Sequence, residues 1–300
     1  MAASSDITGK ISLFTQRNIG EKINTSLDFL RQNWRTALRL SIYMLLPLAL
    51  LQSVGTFTLL KSTLSNSQYN SSDAGFLLTL FFGIIGMCLS YTVILTLFQY
   101  YQGSVDGDLS MLTFRDTKGQ LWRNFKKIFV ASLPIIVLVI IISVLMFILM
   151  FIPLLSILAF LVYAVFFVIL MMVPIYNVLE DIPLNVAFMR SYGHAKESWG
   201  RLLGLIFALF LVMSLIQTTT TIPVMIYVFL VDNLVPSAEA AQSLTVGLDV
   251  GLYILLIVHT FFSYLSMVLV ITTLVFHYGS NARENDDLAI AHDIDNFANL

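Results

Sequence analysis

Six segments of this chain, near 38 to 60, 75 to 100, 128 to 151, 154 to 177, 202 to 231 and 248 to 276, are long apolar runs with no Asp, Glu, Lys or Arg at mid-span. A helix needs about 20 apolar residues to cross roughly 30 Å of hydrocarbon. Only helices and closed barrels satisfy every backbone polar group there. Barrels are excluded, because the runs are continuous and not short stretches of alternating polarity. Composition agrees: 58% of the 300 residues are hydrophobic and 11% charged, against roughly 45 to 50% and about 25% in soluble domains. The chain therefore reads as an all-α polytopic membrane bundle of six transmembrane helices. The third and fourth runs join almost directly at Ile152-Pro153, which forces an antiparallel hairpin and makes three hairpins the natural plan.

Lysine and arginine, which stay on the cytoplasmic side during insertion, orient the bundle. Lys10, Arg17, Lys22, Arg31, Arg35 and Arg39 precede the first run; Arg115, Lys118, Arg123, Lys126 and Lys127 precede the third; Arg190, Lys196 and Arg201 precede the fifth; Arg283 follows the sixth. Of the sixteen basic residues only Lys61 falls on the other side. Both termini are therefore expected in the cytoplasm, and the location in a bacterial inner membrane. The first 35 residues contain no uninterrupted apolar core of the kind a secretory signal needs. The organisation read from this is a cytoplasmic segment over 1 to 37, a six-span domain over 38 to 277 and an acidic cytoplasmic tail over 278 to 300, which itself has the pattern of a short amphipathic helix.

All three Trp stand beside a basic residue near the start of an apolar run: Trp34 with Arg35, Trp122 with Arg123, and Trp199 with Arg201. These six read as interfacial anchors. Aligned on the Trp, Pro47 and Pro134 follow by thirteen and twelve residues, and Gln52 and Gln217 both by eighteen. Two readings fit: three repeated hairpin units, or independent anchoring, since Trp, Lys and Arg collect at membrane interfaces in unrelated proteins.

Each Trp is also preceded by the pattern of a cytoplasmic interfacial helix. Ile19, Ile23, Leu27, Leu30 and Trp34 form one apolar stripe, with Glu21, Lys22, Asp28 and Gln32 elsewhere, as in a helix lying in the interface plane. Before Trp199, the residues Leu184, Ala187, Phe188 and Ser191 share one side, behind Pro183 and an acidic start at Glu180 and Asp181 that complements the helix dipole. The segment from Leu112 to Phe125 is a weaker version interrupted by Gly119. Such helices either seal the inner face or dock a partner.

The stretch LEDIPLNVAFMRSYGHAKESWGRLLGLIFAL (179 to 209) combines an acidic helix start, a small residue four before Ser191 and a polar break leading into a span. In this it resembles the cytoplasmic segment of bacterial six-span membrane proteins of poorly known function, among them the membrane domain attached to some glycerophosphodiester phosphodiesterases and the YciC-like proteins. The closing FHYGSNARENDDLAIAHDIDNFANL is similar to tails of Bacteroidetes members of that group. The resemblance implies a hairpin-built membrane fold. It lends no activity, because no stretch outside the membrane is long enough for a phosphodiesterase domain.

Ionisable residues inside a membrane are costly and mark function by default, so their lack at mid-span argues against a carboxylate-driven proton or sodium pump. What remains is uncharged: Gln52, Gln217, Thr218, Thr219, Thr220, Thr221 and His259, each roughly 24 to 30 Å from the basic ends at about 1.5 Å per residue. They are expected to form a layer in the outer part of the membrane. In QTTTTIP, Pro223 removes a backbone bond from a run too long for one straight span, which points to a kinked fifth helix facing an outward-opening polar cavity. The plainer reading is that the Thr hydroxyls bond back to their own helix and the two Gln join helices.

Other motifs exclude more than they assign. A single Cys, Cys88, rules out an internal disulfide or a Cys-built metal cluster. His194, His277 and His292 lie at or beyond the cytoplasmic boundary without ligand spacing, and no Gly-rich phosphate loop occurs, so neither metal nor cofactor is expected. GRLLG and GLDVG match the small-residue packing pattern. A net charge of -2 offers no attraction to nucleic acid. The leading reading is a non-enzymatic membrane protein that binds or moves a lipid or other amphiphile, or organises other membrane proteins. The alternative is a membrane-embedded lipid-modifying enzyme with His259 in its polar site. A reporter fused within 104 to 110 is expected to register as cytoplasmic, and an extracytoplasmic signal there overturns the orientation.

Overall fold

Backbone amides in hydrocarbon have only each other to bond, and every regular element longer than an isolated bridge among the described residues is a helix. The computed structural model describes residues 10–64, 71–104, 106–149, 153–197, 199–234 and 241–285. In chain order the helices are α1 (Ile19–Gln32), α2 (Trp34–Leu64), α3 (Ser71–Gly103), α4 (Phe114–Leu149), α5 (Pro153–Leu179), α6 (Leu184–Glu197), α7 (Trp199–Leu234) and α8 (Ala241–Asn285). Six of them, all but α1 and α6, are long and apolar enough to cross a membrane. The chain is an all-α, multi-pass membrane protein whose solvent is a lipid bilayer.

Contacts run antiparallel within three hairpins. Gly55 meets Thr79 and Leu59 meets Gly75 between α2 and α3. Ser143 meets Tyr163 between α4 and α5. Gln217 meets Ser263 and Tyr227 meets Leu248 between α7 and α8. Ile152, in the expected tight turn, and the tail beyond Asn285 lie outside the described residues.

Two local expectations are corrected. The segment from Leu112 to Phe125 is not a separate interfacial helix: α4 starts at Phe114 and runs on to Leu149. Trp122 therefore sits about two turns inside its helix, whereas Trp34 and Trp199 begin theirs. One Gly costs a helix about 1 kcal/mol, too little for Gly119 to break an element of this length. Helix α7 contains Pro223 and runs to Leu234. Finally, Glu180 and Asp181 pair with basic side chains instead of capping α6, Glu180 with Arg190 of α6 and Asp181 with Lys127 of α4. Asp181 takes φ +54, a left-handed conformation that Asp tolerates better than most residues. Its bond to Lys127 holds its carboxyl below the usual carboxylate range. Whatever this exposed pair contributes is therefore complete above about pH 4 and is lost as pH falls through the depressed value.

The chain divides into two compact units, the first made of Met1–Leu38, Tyr91–Phe210 and Val268–Leu300, the second of Arg39–Ser90 and Leu211–Met267. In the first, Phe29 of α1 stacks on Phe98 of α3 at 4.3 Å and meets Tyr101 and Phe276 edge-on at 5.0 and 6.0 Å. A capping box between Asn18 and Glu21 starts α1. This helix buries Lys22, Thr25, Ser26 and Phe29, and leaves Leu27 of its apolar stripe, and Trp34 just beyond it, exposed. Amides tie α3 to α4: Asn124 Nδ2 donates to Thr96 Oγ1 at 2.9 Å and to Gln99 Oε1 at 2.8 Å, and Gln120 Nε2 donates to Gln99 Oε1 at 2.7 Å. Helix α6 packs the side expected of it, with Ala187 and Ser191 buried and Ser191 Oγ donating to the Ile169 carbonyl of α5 at 2.7 Å. Cys88, at 2% exposure, is a core residue of the second unit.

In that second unit α2 and α3 approach backbone to backbone. A Cβ on Gly55 would lie 2.8 Å from Thr79 N, and one on Gly75 would lie 2.8 Å from Leu59 N. The pair is far apart in sequence, so the GxxxG pattern does not find it. In GRLLG and GLDVG only the second Gly is crowded: a Cβ on Gly204 would lie 2.6 Å from Ile19 Cδ1 and one on Gly251 2.8 Å from the Tyr227 hydroxyl oxygen, while Gly200 and Gly247 have nothing within 4 Å. Val224, Leu252 and Leu256 form the apolar centre, flanked by Phe57, Leu60 and Tyr227.

Thermal unfolding of the purified protein in detergent checks the crossing. Gly55→Val should destabilise by about 1 to 3 kcal/mol or more, because the clash is with backbone. Gly119→Ala, in open space, should stabilise by up to about 1 kcal/mol. Equal midpoints for the two variants would show that the close approach is absent.

Candidate functional site

The polar side chains of the second unit meet pairwise on α8. Ser263 Oγ donates to Gln217 Oε1 at 3.1 Å, and Thr220 Oγ1 lies 3.0 Å from His259 Nδ1. Ser263 also bonds the His259 carbonyl at 2.9 Å, so these four residues form one half-buried seam along α7 and α8. Gln52 stands elsewhere. Its Oε1 accepts from the Tyr264 hydroxyl, which is shared with the Phe82 carbonyl at 3.2 Å. One turn away, Ser53 Oγ donates to Thr260 Oγ1 at 3.3 Å. Consecutive helical residues point about 100° apart, so Ser263 and Tyr264 carry the two Gln to different faces of α8.

The same rotation disperses the Thr run around α7. Thr218 and Thr219 are exposed, Thr220 and Thr221 half-buried. Thr219 Oγ1 donates back to the Leu215 carbonyl at 2.8 Å, and Thr220 Oγ1 lies 3.2 and 3.1 Å from the Ile216 and Gln217 carbonyls. Of the seven residues expected in one layer, Gln217, Thr220 and His259 come together, and Gln52 belongs to a separate line of contacts. Neither Ser263 nor Tyr264 stood out in the sequence, since a Tyr in an apolar run reads as packing. What places Tyr264 is Gly86 of α3: a Cβ there would collide with its ring.

The first unit holds a polar cluster that sequence reasoning missed. Lys22 Nζ lies 2.9 Å from His277 Nδ1, and the two residues are only 2% and 1% exposed. His277 Nε2 meets the Asn281 side-chain amide at 3.2 Å. Tyr176 OH lies 2.5 Å from His194 Nδ1, and its ring packs edge-on against Tyr278 at 4.9 Å. Arg17 is buried beside them, bonding the Leu13 and Thr15 carbonyls at 3.3 Å with its guanidinium 5.3 Å from the Phe276 ring centroid. Burial lowers the Arg17 pKa from its ordinary value. His277 and His194 are thus buried within the protein. The reason is that α1 folds over α8, a contact between positions 255 apart in sequence.

Trp34, Trp122 and Trp199, the expected anchors, are all exposed, and Arg35 and Lys126 lie 5.7 and 5.1 Å from the Trp34 and Trp122 ring centroids. Arg123 and Arg201 are exposed as well. Among the described residues no group of three or more His, Cys, Asp or Glu is placed to hold a metal ion. No protein-family model, no curated protein and no solved structure matches the chain.

A double-mutant cycle between Gln52→Leu and Tyr264→Phe should give a coupling of about 0.6 to 1.7 kcal/mol, the range for hydrogen bonds between membrane helices. The cycle between Gln217→Leu and Tyr264→Phe should give almost none. Similar coupling in both, read from unfolding midpoints, contradicts the division between two faces of α8.

Proposed function

We propose that the protein is a non-enzymatic integral membrane protein that binds a lipid or another amphiphile and moves or presents it. The observation that carries this reading is the seam of Gln217, Thr220, His259 and Ser263. Polar groups buried in hydrocarbon without a partner are costly, and these four pair among themselves while remaining half open. Gln217 lies eighteen residues after Trp199, about 27 Å along the helix at about 1.5 Å per residue, close to the far interface. Neutral donors and acceptors at that depth suit the hydroxyl, ester or amide of an amphiphile. The crowding of Lys and Arg at the Trp-bearing ends supports placing those ends in the cytoplasm of a bacterium and the seam near the outer face.

One contact favours a second reading. A hydroxyl and an imidazole within hydrogen-bond reach, as in Thr220 and His259, are the beginnings of an activated nucleophile, which supports a lipid-modifying enzyme.

In a Cys88→Ser background, Cys placed at Thr219 or His259 should react with a membrane-impermeant thiol reagent added from outside, and Cys at Gln52 should react less. An amphiphile co-purifying with the wild type, identified by mass, should be depleted severalfold in Gln217→Leu/Thr220→Val. Silent labelling at both Thr219 and His259 together with undiminished amphiphile rejects binding there. Turnover of a lipid ester that disappears in His259→Ala while amphiphile is retained selects the enzyme.

A further inference from the structure

One face of α4 changes character along its length. At about 100° per residue, Arg115, Lys118, Trp122, Arg123 and Lys126 fall within an arc of about 140°, and all five are exposed. The buried residues of this stretch, Thr117, Leu121, Asn124, Ile128 and Ala131, occupy the opposite side. Farther along, the exposed arc continues with Val130, Leu133 and Val137, each more than half exposed. The same surface is thus basic as far as Lys126 and apolar after it.

The change comes where the hydrocarbon begins. No charged residue follows Lys127 in α4. From Ile128 to Val137 the helix rises about 14 Å, near half of the roughly 30 Å of hydrocarbon, which is the depth of one leaflet. The Trp122 ring stacks on Phe125 at 5.7 Å and has Lys126 Nζ 5.1 Å from its centroid. Ring and ammonium therefore sit together just before the apolar stretch, at the headgroup level that aromatic residues favour.

The charge balance is one-sided. Helix α4 holds five basic residues and one acidic residue, Asp116, whose carboxylate accepts the Thr113 N–H at 3.0 Å. Asp181, within electrostatic range of Arg123, pairs with Lys127, which lies outside the exposed arc. Four or more Lys and Arg directly before a spanning helix attract anionic lipid, and a guanidinium adds paired bonds to phosphate oxygens. A second copy of the chain packed face to face would set these bases against their own kind. An anionic phospholipid matches both halves of the face, its headgroup on the bases and its chains on the apolar stripe.

We propose that the exposed face of α4 from Arg115 to Val137 is a binding site for an anionic phospholipid. Lys118, Arg123 and Lys126 hold the phosphate, Trp122 lies beside the glycerol, and Val130, Leu133 and Val137 carry an acyl chain. The site needs only that this end of α4 stands at a membrane surface. It shares no residue with the α7–α8 seam and is independent of the function proposed above.

Native mass spectrometry of the full chain in a neutral detergent, titrated with phosphatidylglycerol or with phosphatidylcholine, tests the site by counting bound lipids. The wild type should retain a first phosphatidylglycerol at a lower concentration than phosphatidylcholine. That affinity should fall about tenfold or more in Lys118→Gln/Lys126→Gln. It should hold in Arg31→Gln/Arg35→Gln, which removes the same charge from exposed positions of α1 and α2. All four substituted side chains are exposed, so both variants should keep the unfolding midpoint of the wild type. Equal retention of the two lipids by the wild type, or an equal loss in both variants, overturns the site. A dimer that Lys118→Gln/Lys126→Gln dissociates, with no preference for phosphatidylglycerol, assigns the face to a second copy and overturns it as well.

Discussion

Between helices in a membrane, burial of apolar surface gives no advantage over contact with lipid, because the tails are as apolar as leucine. Association then depends on how closely backbones approach and on which side chains bond across the gap. The second unit shows both devices. Gly55 and Gly75 allow α2 and α3 to touch backbone to backbone, and Gly86 makes room for the Tyr264 ring, whose hydroxyl then reaches Gln52. The seam of Gln217, Thr220, His259 and Ser263 does for α7 and α8 what these contacts do for α2 and α3. The same groups that hold helices together are therefore the ones available to recognise a ligand.

The first unit inverts a familiar arrangement. In an amphipathic helix on a soluble protein the apolar stripe faces inward, but α1 turns Lys22, Thr25 and Ser26 inward with Phe29 and leaves Leu27 outside. In lipid this is the economical orientation. Apolar side chains lose nothing by facing the tails, whereas polar ones need the bonds that Lys22 finds on His277 and Ser26 Oγ finds on the Lys22 carbonyl. An inward polar face also brings basic groups of distant segments together. That is why the contact of Lys22 with His277 has no signature in any single stretch of sequence.

The class, the number of spans and the hairpin plan were legible in the chain because they follow from a single requirement, internal satisfaction of backbone polar groups over the thickness of a bilayer. A run of apolar residues long enough to meet it announces itself. Gln217, Thr220 and His259 could be singled out for a similar reason, since polar groups are conspicuous in apolar runs. Their grouping could not be read, because one residue of rotation, 263 against 264, decides which helix face a side chain joins. Helix edges were less legible still. The segment before Trp122 carries a local breaker, yet it is continuous with its helix, as a single Gly removes only about 1 kcal/mol from an element of 36 residues.

The sequence by itself determined that the chain crosses a membrane as helices and how many times. These depend on the transfer of residues between water and lipid, one segment at a time. Only the tertiary structure decided which glycines touch, that Gln52 and Gln217 belong to different faces of α8, and that Lys22 meets His277. Each of those contacts joins positions remote in sequence, and their pairing depends on helix rotation and packing distance, which no local pattern encodes.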